Sequence, residues 1–159
     1  MSPLPILLLL GILMIASVQG YVDYDASPVY NGRRYFMKKV HEPFNLAKMN
    51  GRCKEYGGYL VQIDDKAELK FVKGFILGAG GYGPFFTGIN DEESEGQFYT
   101  YNDKKPVKYL KWKWSQPDNW YNEDCVNIDI GMFTTGLNDM ACGKSGRYIC
   151  EVPLVRLFW

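Results

Sequence analysis

The four cysteines constrain the fold of this chain more than any other feature, provided that they form disulfides. Whether they do depends on the compartment to which the N-terminal segment directs the chain. Leu4 to Val18 is an uncharged apolar stretch, and Val18 and Gly20 are the small residues expected before a signal-peptide cleavage site. Residues 1–20 are therefore predicted to be a secretory signal peptide, and the chain from Tyr21 is predicted to be secreted and extracellular. An even number of cysteines in an oxidising compartment predicts two disulfides, in one of three pairings. The cysteines are Cys53, Cys125, Cys142 and Cys150.

The amino-acid composition excludes several classes of protein for this chain. The 159 residues carry 18 basic and 18 acidic side chains, and a formal net charge of +0 argues against a nucleic-acid-binding protein. A hydrophobic content of 47% supports one packed domain over residues 21–159. After the leader no apolar stretch approaches the roughly 20 residues of a membrane-spanning helix, so membrane insertion is not expected. One histidine and the lack of a Cys-x-x-Cys pair argue against a zinc site.

Hydrophobic periodicity and turn residues predict an α+β domain. Helices are expected at Leu46–Tyr56 and Ala67–Leu77, where apolar residues recur at helical spacing. A short hairpin or a strand is expected at Tyr30–Val40, with Asn31-Gly32 as a turn, and a strand at Tyr59–Ile63. After the second helix, short strands between long loops are expected. The alternating stretch Lys111–Trp114 is expected to be a strand with one face turned inward.

Carboxylates and side-chain amides cluster between Gln116 and Asp139. Gln116 and Asp118 flank a proline, Glu123-Asp124 precedes Cys125, and Asn138-Asp139 lies three residues before Cys142. These side chains are hard oxygen donors, the ligands of which calcium takes about 6–8 at once, whereas magnesium tends to keep its waters. A disulfide between Cys125 and Cys142 would hold these acids close together, so the region predicts a calcium site rather than a solvated acidic loop.

Several motifs along the mature chain resemble those of the C-type lectin domain family. The sequence resembles the family at Phe86–Asp91 (with Phe in place of a Trp), Glu95–Phe98, Trp112, Glu123–Val126, Asn138–Cys142 and Ile149–Glu151. The resemblance implies a C-type lectin-like fold of two helices, two small antiparallel sheets and long calcium-binding loops. It also implies the disulfides Cys53–Cys150 and Cys125–Cys142, and a sugar-binding protein that breaks no bond.

The resemblance further implies which side chains bind calcium and sugar. The primary calcium would be held by Gln116, Asp118, Glu123, Asn138 and Asp139, with two vicinal sugar hydroxyls completing its shell. A cis peptide before Pro117 would aim Gln116 and Asp118 at one ion. A weaker auxiliary calcium site would involve Asp91, Glu95, Asn119, Glu123 and Asp124, with Asn119 in place of an expected Asp.

The sequence constrains the preferred sugar less than it constrains the residues that would bind it. Gln116-Pro117-Asp118 resembles the family's galactose-type motif, and Trp120 stands where galactose binders place a ring against the sugar. However, the glycine-rich loop that positions this ring is absent, since four residues separate Asp118 from Glu123. The mannose-type order, acid then amide, presents the same groups in reverse. Galactose-type binding is the first expectation and mannose-type the second.

Other functions and assemblies remain open at this point. One alternative is a C-type lectin-like domain that binds protein, ice or mineral without sugar recognition; another is a secreted hydrolase using Glu92 and Glu95. The physiological role, whether defence in innate immunity, adhesion or biomineral matrix, is open too. The apolar tail 152–159 is expected to contribute to a non-covalent homodimer, because an exposed apolar patch often marks an interface. The alternative is that the tail folds back on its own domain as an edge strand.

Overall fold

The computed structural model describes residues 23–154; the expected signal peptide, together with residues 21, 22 and 155–159, lies outside the described part. In this range the chain forms two helices and nine strands. The helices are α1 (Leu46–Glu55) and α2 (Lys66–Gly78), and the strands are β1 (Tyr24–Ala26), β2 (Arg33–Lys38), β3 (Glu42–Pro43), β4 (Tyr59–Leu60), β5 (Gly83–Asn90), β6 (Tyr99–Thr100), β7 (Cys125–Ile130), β8 (Thr135–Met140) and β9 (Ser145–Pro153).

Strand β9 lies inside a mixed sheet with the strand order β1-β2-β9-β5-β7-β8. It pairs antiparallel with β2, β3 and β4 and parallel with β5, where Phe85 faces Arg147 and Phe86 faces Tyr148. The expected α+β class is confirmed. The two small antiparallel sheets expected from the sequence are joined into one mixed sheet, because the parallel β5–β9 pairing connects the two antiparallel groups.

Both predicted helices are present, with ends within one residue of the prediction. Each begins at a side chain that caps its first turn: Asn45 Oδ1 accepts from the Lys48 backbone N–H at 2.9 Å, and Asp65 Oδ1 accepts from Glu68 at 2.8 Å. Helix α1 ends before Gly57, whose φ of +79° suits glycine. Within residues 23–154 no helix is long and apolar enough to cross a bilayer.

Two buried clusters hold the helices on the sheet. Helix α2 contributes Val72 and Ile76 to a cluster with side chains of β5, β7 and β8. Helix α1 packs on a second cluster that includes Phe86, and the Phe44 ring stacks on Phe86 with a centroid distance of 4.1 Å. Phe86, the residue that replaces the family's Trp, is therefore a fully buried core residue.

Both disulfides implied by the resemblance are present. Cys53–Cys150 joins α1 to β9 across 97 residues of sequence, and on the loop-entropy model such a bridge contributes about 4–5 kcal/mol. Cys125–Cys142 joins the start of β7 to the segment that follows β8. All four cysteines are bonded, so none is available as a thiolate ligand for zinc.

The segment between β6 and β7 is irregular, and Trp112 anchors it. Trp112 forms an isolated bridge with Leu137 of β8 and packs against Phe98 at a centroid distance of 5.0 Å. The prediction of a strand at Lys111–Trp114 is wrong except for this single bridge at Trp112. The chain turns between Lys113 and Gln116, with Ser115 at a φ of +63°, and this turn leaves Trp114 88% exposed instead of inward.

Candidate functional site

A tight loop presents the Gln-Pro-Asp motif. The backbone N–H of Gln116 donates to the Lys113 carbonyl at 3.2 Å, and the Gln116–Pro117 peptide is cis. The Gln116 Nε2 atom then donates to Asp118 Oδ2 at 3.1 Å. The amide and the acid on either side of Pro117 therefore point to one place, as the sequence resemblance implied.

Three carboxylates from separate parts of the chain converge beside this loop. One carboxylate oxygen from each of Asp118, Glu123 and Asp139 lies within 4.8 Å of the other two. Asp118 is exposed, Glu123 is half-buried and precedes β7, and Asp139 on β8 is buried. We call Asp118, Glu123 and Asp139 the acidic cluster. Such a group of hard oxygens is able to hold a metal ion.

Backbone hydrogen bonds fix the acidic cluster in place. The Asn119 N–H donates to Asp139 Oδ2 at 2.8 Å, and the Glu123 N–H donates to Asn119 Oδ1 at 2.7 Å. Asn119 therefore connects the loop to β8 on one side and to the start of β7 on the other. Its φ of +48° is one that asparagine tolerates better than most residues.

Two oxygens at the acidic cluster have no hydrogen-bond partner among the described residues. Gln116 Oε1 and Asp139 Oδ1 are both buried and accept no hydrogen bond from residues 23–154. Leaving a buried acceptor unpaired costs about 1–3 kcal/mol, and more for a charged group. A cation held by these side chains would supply the missing partners and remove that cost, so the residues present fit a calcium-type ion.

The electrostatics of the acidic cluster agree with this fit. Burial raises the pKa of Glu123 above its usual range, and the negative charges of Asp139 and Asp118 raise it further. Like charges held together without a counter-charge favour the protonated form of one of them. A divalent cation in the cluster would reverse this effect and keep all three groups ionised.

Asn138, the fifth expected ligand, neighbours Asp139 on β8 and is buried. Its Nδ2 donates to the Asp139 backbone carbonyl. Its side-chain oxygen is therefore the atom left for another ligand. The structure thus brings four residues of the expected primary set together at one end of β7 and β8, namely Gln116, Asp118, Glu123 and Asp139, while Asn138 is placed there only as the neighbour of Asp139 on β8.

The expected auxiliary site is less compact. Asp91 is buried, its Oδ2 accepts from the Gly96 N–H at 2.8 Å, and its Oδ1 has no partner among residues 23–154. Burial raises the Asp91 pKa, with further contributions from the charges of Glu95 and Asp124. Asp124 accepts a hydrogen bond from Asn122 Nδ2 at 2.6 Å. In the described range, neither group of three close metal-ligating side chains contains Asp91, Glu95 or Asp124.

The other group of three close potential ligands is not a metal site. It consists of Glu92, Cys125 and Cys142. Both cysteine sulfurs are joined in a disulfide and supply no thiolate. Glu92 and Glu95 are solvent-exposed.

Exposed aromatic rings border the acidic cluster. Trp120 is 69% exposed, and Tyr121 is 85% exposed with its ring 5.0 Å from that of Trp120. Tyr121 has a φ of +58°, an uncommon conformation for an aromatic residue and one that often marks a functional segment. Sequence reasoning identified Trp120 but missed Tyr121. The adjacent Trp-Tyr pair, two residues beyond the motif, was the available signal.

Comparisons with known proteins place these features in context. A family model described as the lectin C-type domain matches residues 42–152. The chain is 24% identical over 126 residues to lectin BRA-3 of Megabalanus rosa, covering 79% of this chain and 75% of that protein. It is 37% identical over 121 residues to collectin-11 of Bos taurus, covering 75% of this chain but 43% of the collectin.

Solved structures share the fold. The carbohydrate-recognition domain of the mouse scavenger receptor C-type lectin matches with a TM-score of 0.70 at 24% identity, over 86% of this chain and 98% of that one. The herring type II antifreeze protein matches with a TM-score of 0.64 at 24% identity, over 84% of this chain and 98% of that one. At these identities the matches establish the fold and leave the ligand open.

Proposed function

The chain belongs to the C-type lectin domain family, and on that basis we propose that it is a secreted, calcium-dependent lectin with galactose-type specificity. The observation that carries the proposal is the convergence of Asp118, Glu123 and Asp139, in which Asp139 Oδ1, like Oε1 of the nearby Gln116, is buried without a partner among residues 23–154. The names of the relatives, a lectin and a collectin, support carbohydrate as the ligand. The apolar leader and the two disulfides support secretion.

Calcium would be held by the amide oxygens of Gln116 and Asn138 and by the acidic cluster. When bound, the ion would supply coordination positions for two sugar hydroxyls. The protein would orient the same hydroxyls by hydrogen bonding, with amide N–H groups as donors and carboxylates as acceptors. No group in this arrangement attacks a bond, so the proposed role is binding. The auxiliary set around Asp91 would take a second calcium more weakly, since its acids are less closely gathered.

Galactose-type specificity is supported by the order of groups in the loop and by the aromatic ring beyond it. The amide of Gln116 comes first and the acid of Asp118 second, which resembles the family's galactose-type motif. Trp120 presents an exposed ring that could pack on the apolar face of a sugar. Mannose-type binding is the competing specificity, because the reversed order has the same donors and acceptors.

A glycan array run in calcium and again in EDTA tests the proposal. We expect galactose-terminated glycans to bind in calcium and to be released by EDTA. Binding that persists in EDTA would refute calcium dependence. If calcium raises the thermal stability but no glycan binds, the second candidate applies: a C-type lectin-like domain that recognises protein, ice or mineral. The fold shared with the antifreeze protein keeps that candidate in the test.

The proposed homodimer remains a prediction. Of the tail on which it was based, Val152 and Pro153 continue β9 and pair with Arg34 and Arg33 of β2 in the same domain. Residues 155–159 lie outside the described part. Two linked sites would gain avidity through effective concentration, often about 10²–10⁴-fold. Sedimentation of residues 21–159 tests for the dimer, and a monomer at all concentrations would refute it.

A further inference from the structure

An apolar groove separate from the sugar site lies between residues 25–30 and helix α2. It has a volume of about 830 Å³, and none of the proposed calcium or sugar ligands lines it. Its walls include Ala26, Pro28, Tyr30, Phe71, Gly74 and Phe75. We call this feature the α2 groove. Its only charged lining residues among residues 23–154 are Asp25 and Lys70, so an apolar occupant fits it.

Two glycines of α2 keep the α2 groove open. Gly74 lies in the helix interior, where glycine costs about 1 kcal/mol relative to alanine. A Cβ atom at Gly74 would meet nothing within 4 Å, and the same holds for Gly78 at the helix end. No contact among the described residues therefore explains the glycines. They leave space directly beside Phe71 and Phe75, where another segment could approach the helix.

The chain itself provides an apolar segment that starts next to the α2 groove. The Leu154 N–H donates to the Gly32 carbonyl at 2.7 Å, and Tyr30, two residues before Gly32, stacks on Phe71 at a centroid distance of 4.4 Å. Residues 155–159 follow with the sequence Val-Arg-Leu-Phe-Trp. Five extended residues reach about 16–18 Å, which is long enough to run along several turns of α2.

The charges of the two surfaces are complementary. Arg156 is the one charged residue of the segment 155–159. Asp25 lines the α2 groove and is partly exposed; its carboxylate lies 3.5 Å from Lys39 in an exposed ion pair, which contributes little by itself. Arg156 could therefore pair with Asp25 at little cost to the rest of the domain.

We propose that residues 155–159 bind in the α2 groove of the same chain, with Phe158 and Trp159 packed on Phe71 over Gly74. The inference is independent of the proposed sugar binding. It gives the apolar tail a place on its own domain and therefore competes with the homodimer proposed above, which was based on an exposed tail. The bound tail would cover the space between residues 25–30 and α2.

Photo-crosslinking tests the proposal directly. In residues 21–159, p-benzoylphenylalanine replaces Phe158, and irradiated monomer is digested and analysed by mass spectrometry. We expect an intramolecular crosslink to the α2 peptide that contains Phe71 and Gly74. A crosslink between two copies would overturn the proposal in favour of a dimer, and a crosslink elsewhere in the domain, or none, would overturn it as well.

A matched pair of helix glycines gives a second test. Gly74→Leu fills the α2 groove, whereas Gly51→Leu changes an exposed glycine of α1 that also has open space around it. We expect the crosslink to be lost in Gly74→Leu and retained in Gly51→Leu. Deletion of residues 155–159 should lower the Tm of the parent and of Gly51→Leu but not that of Gly74→Leu. An equal effect of the deletion in all three backgrounds would overturn the proposal.

Discussion

Asn119 donates its backbone N–H to Asp139 Oδ2 at 2.8 Å, while the other oxygen of the same carboxylate, Oδ1, is buried without a partner among residues 23–154. The two oxygens of Asp139 thus have different roles. One fixes the loop that carries Gln116 and Asp118 onto strand β8. The other has no partner in this range, and one oxygen of the same carboxylate lies within 4.8 Å of Glu123 and Asp118, so it is available to the proposed ion.

Replacing Asp139 by asparagine should remove calcium and sugar binding without unfolding the domain. Asparagine keeps an acceptor for the Asn119 N–H but loses the charge that the ion needs. Calcium at about 100 times its Kd should stabilise the parent by roughly 2.7 kcal/mol, and Asp139→Asn should lose this gain. The stabilisation by calcium is measured by comparing thermal melts in calcium with thermal melts in EDTA. Glu55→Gln, an exposed change on α1, is the control; a full calcium response in Asp139→Asn would contradict the assignment.

Exchanging the two groups around Pro117 should change the preferred sugar. The double variant Gln116→Glu with Asp118→Asn retains one acid and one amide, so calcium should still raise the Tm. We expect preference to move from galactose to mannose, because the order of donors and acceptors is reversed. Competition assays with the two monosaccharides measure the change. An unchanged preference, with the calcium response intact, would show that this pair does not select the sugar.

Trp120→Ala should weaken galactose binding at constant calcium affinity. Stacking of a ring on a ligand contributes about 0.5–1.5 kcal/mol, which corresponds to roughly a 2- to 12-fold loss of affinity. Trp114→Ala is the matched control, since Trp114 is also an exposed tryptophan near the motif. Isothermal titration measures both variants. Equal losses in the two would mean that ring position has no role in recognition.

Sugar binding should weaken as the pH falls, and it should do so above the ordinary titration range of a glutamate. The raised pKa of Glu123 means that a proton competes with calcium at a higher pH than at an isolated carboxyl. The apparent affinity at limiting calcium, measured from pH 7 to pH 4, should fall, and saturating calcium should move the midpoint to lower pH. An affinity that does not change over this range would contradict the prediction.

Glu151 should make the calcium-free domain less stable as the pH rises. Burial raises its pKa to about 7, well above the ordinary value for a glutamate, although its Oε2 accepts from the Gln62 N–H at 3.0 Å. The folded state therefore binds a proton more tightly than the unfolded state, and this contribution is fully present below pH 4.5 and lost as the pH rises to about 7. Urea melts in EDTA of the parent and Glu151→Gln measure it. The stability difference between them should change by about 3 kcal/mol over this window, and a constant difference would refute the assignment.

Local sequence signals predicted the parts of this structure that depend on local interactions. Asp65 and the apolar spacing after it predicted α2, and the cysteines together with the family resemblance gave both disulfides. The parallel pairing of β5 with β9 was not predicted, because it joins residues about sixty positions apart through a register that no local pattern encodes.

The candidate site also has features that the sequence predicted and features that it did not. The candidate identities of Gln116, Asp118, Glu123, Asn138 and Asp139 could be taken from the motif, and the structure brings all of these except the Asn138 side chain into one cluster. The outward direction of Trp114 and the backbone conformation of Tyr121 could not, since they depend on positive φ angles at Ser115 and Tyr121. The alternation of Lys and Trp predicted a strand at Lys111–Trp114. It did so wrongly because no residue pattern in the sequence indicated the turn that follows Lys113.

The position of β9 has a consequence for how the domain assembles. Residues 145–153 are the last strand of the described chain, yet β2, β3, β4 and β5 all pair with them. The β1–β2 pair and the β5-β7-β8 group are able to form without β9, but they join into one sheet only after this strand has been synthesised. High sequence separation of contacts slows folding. The Cys53–Cys150 bond is correspondingly expected to form late, after β9 has docked and brought Cys150 against α1.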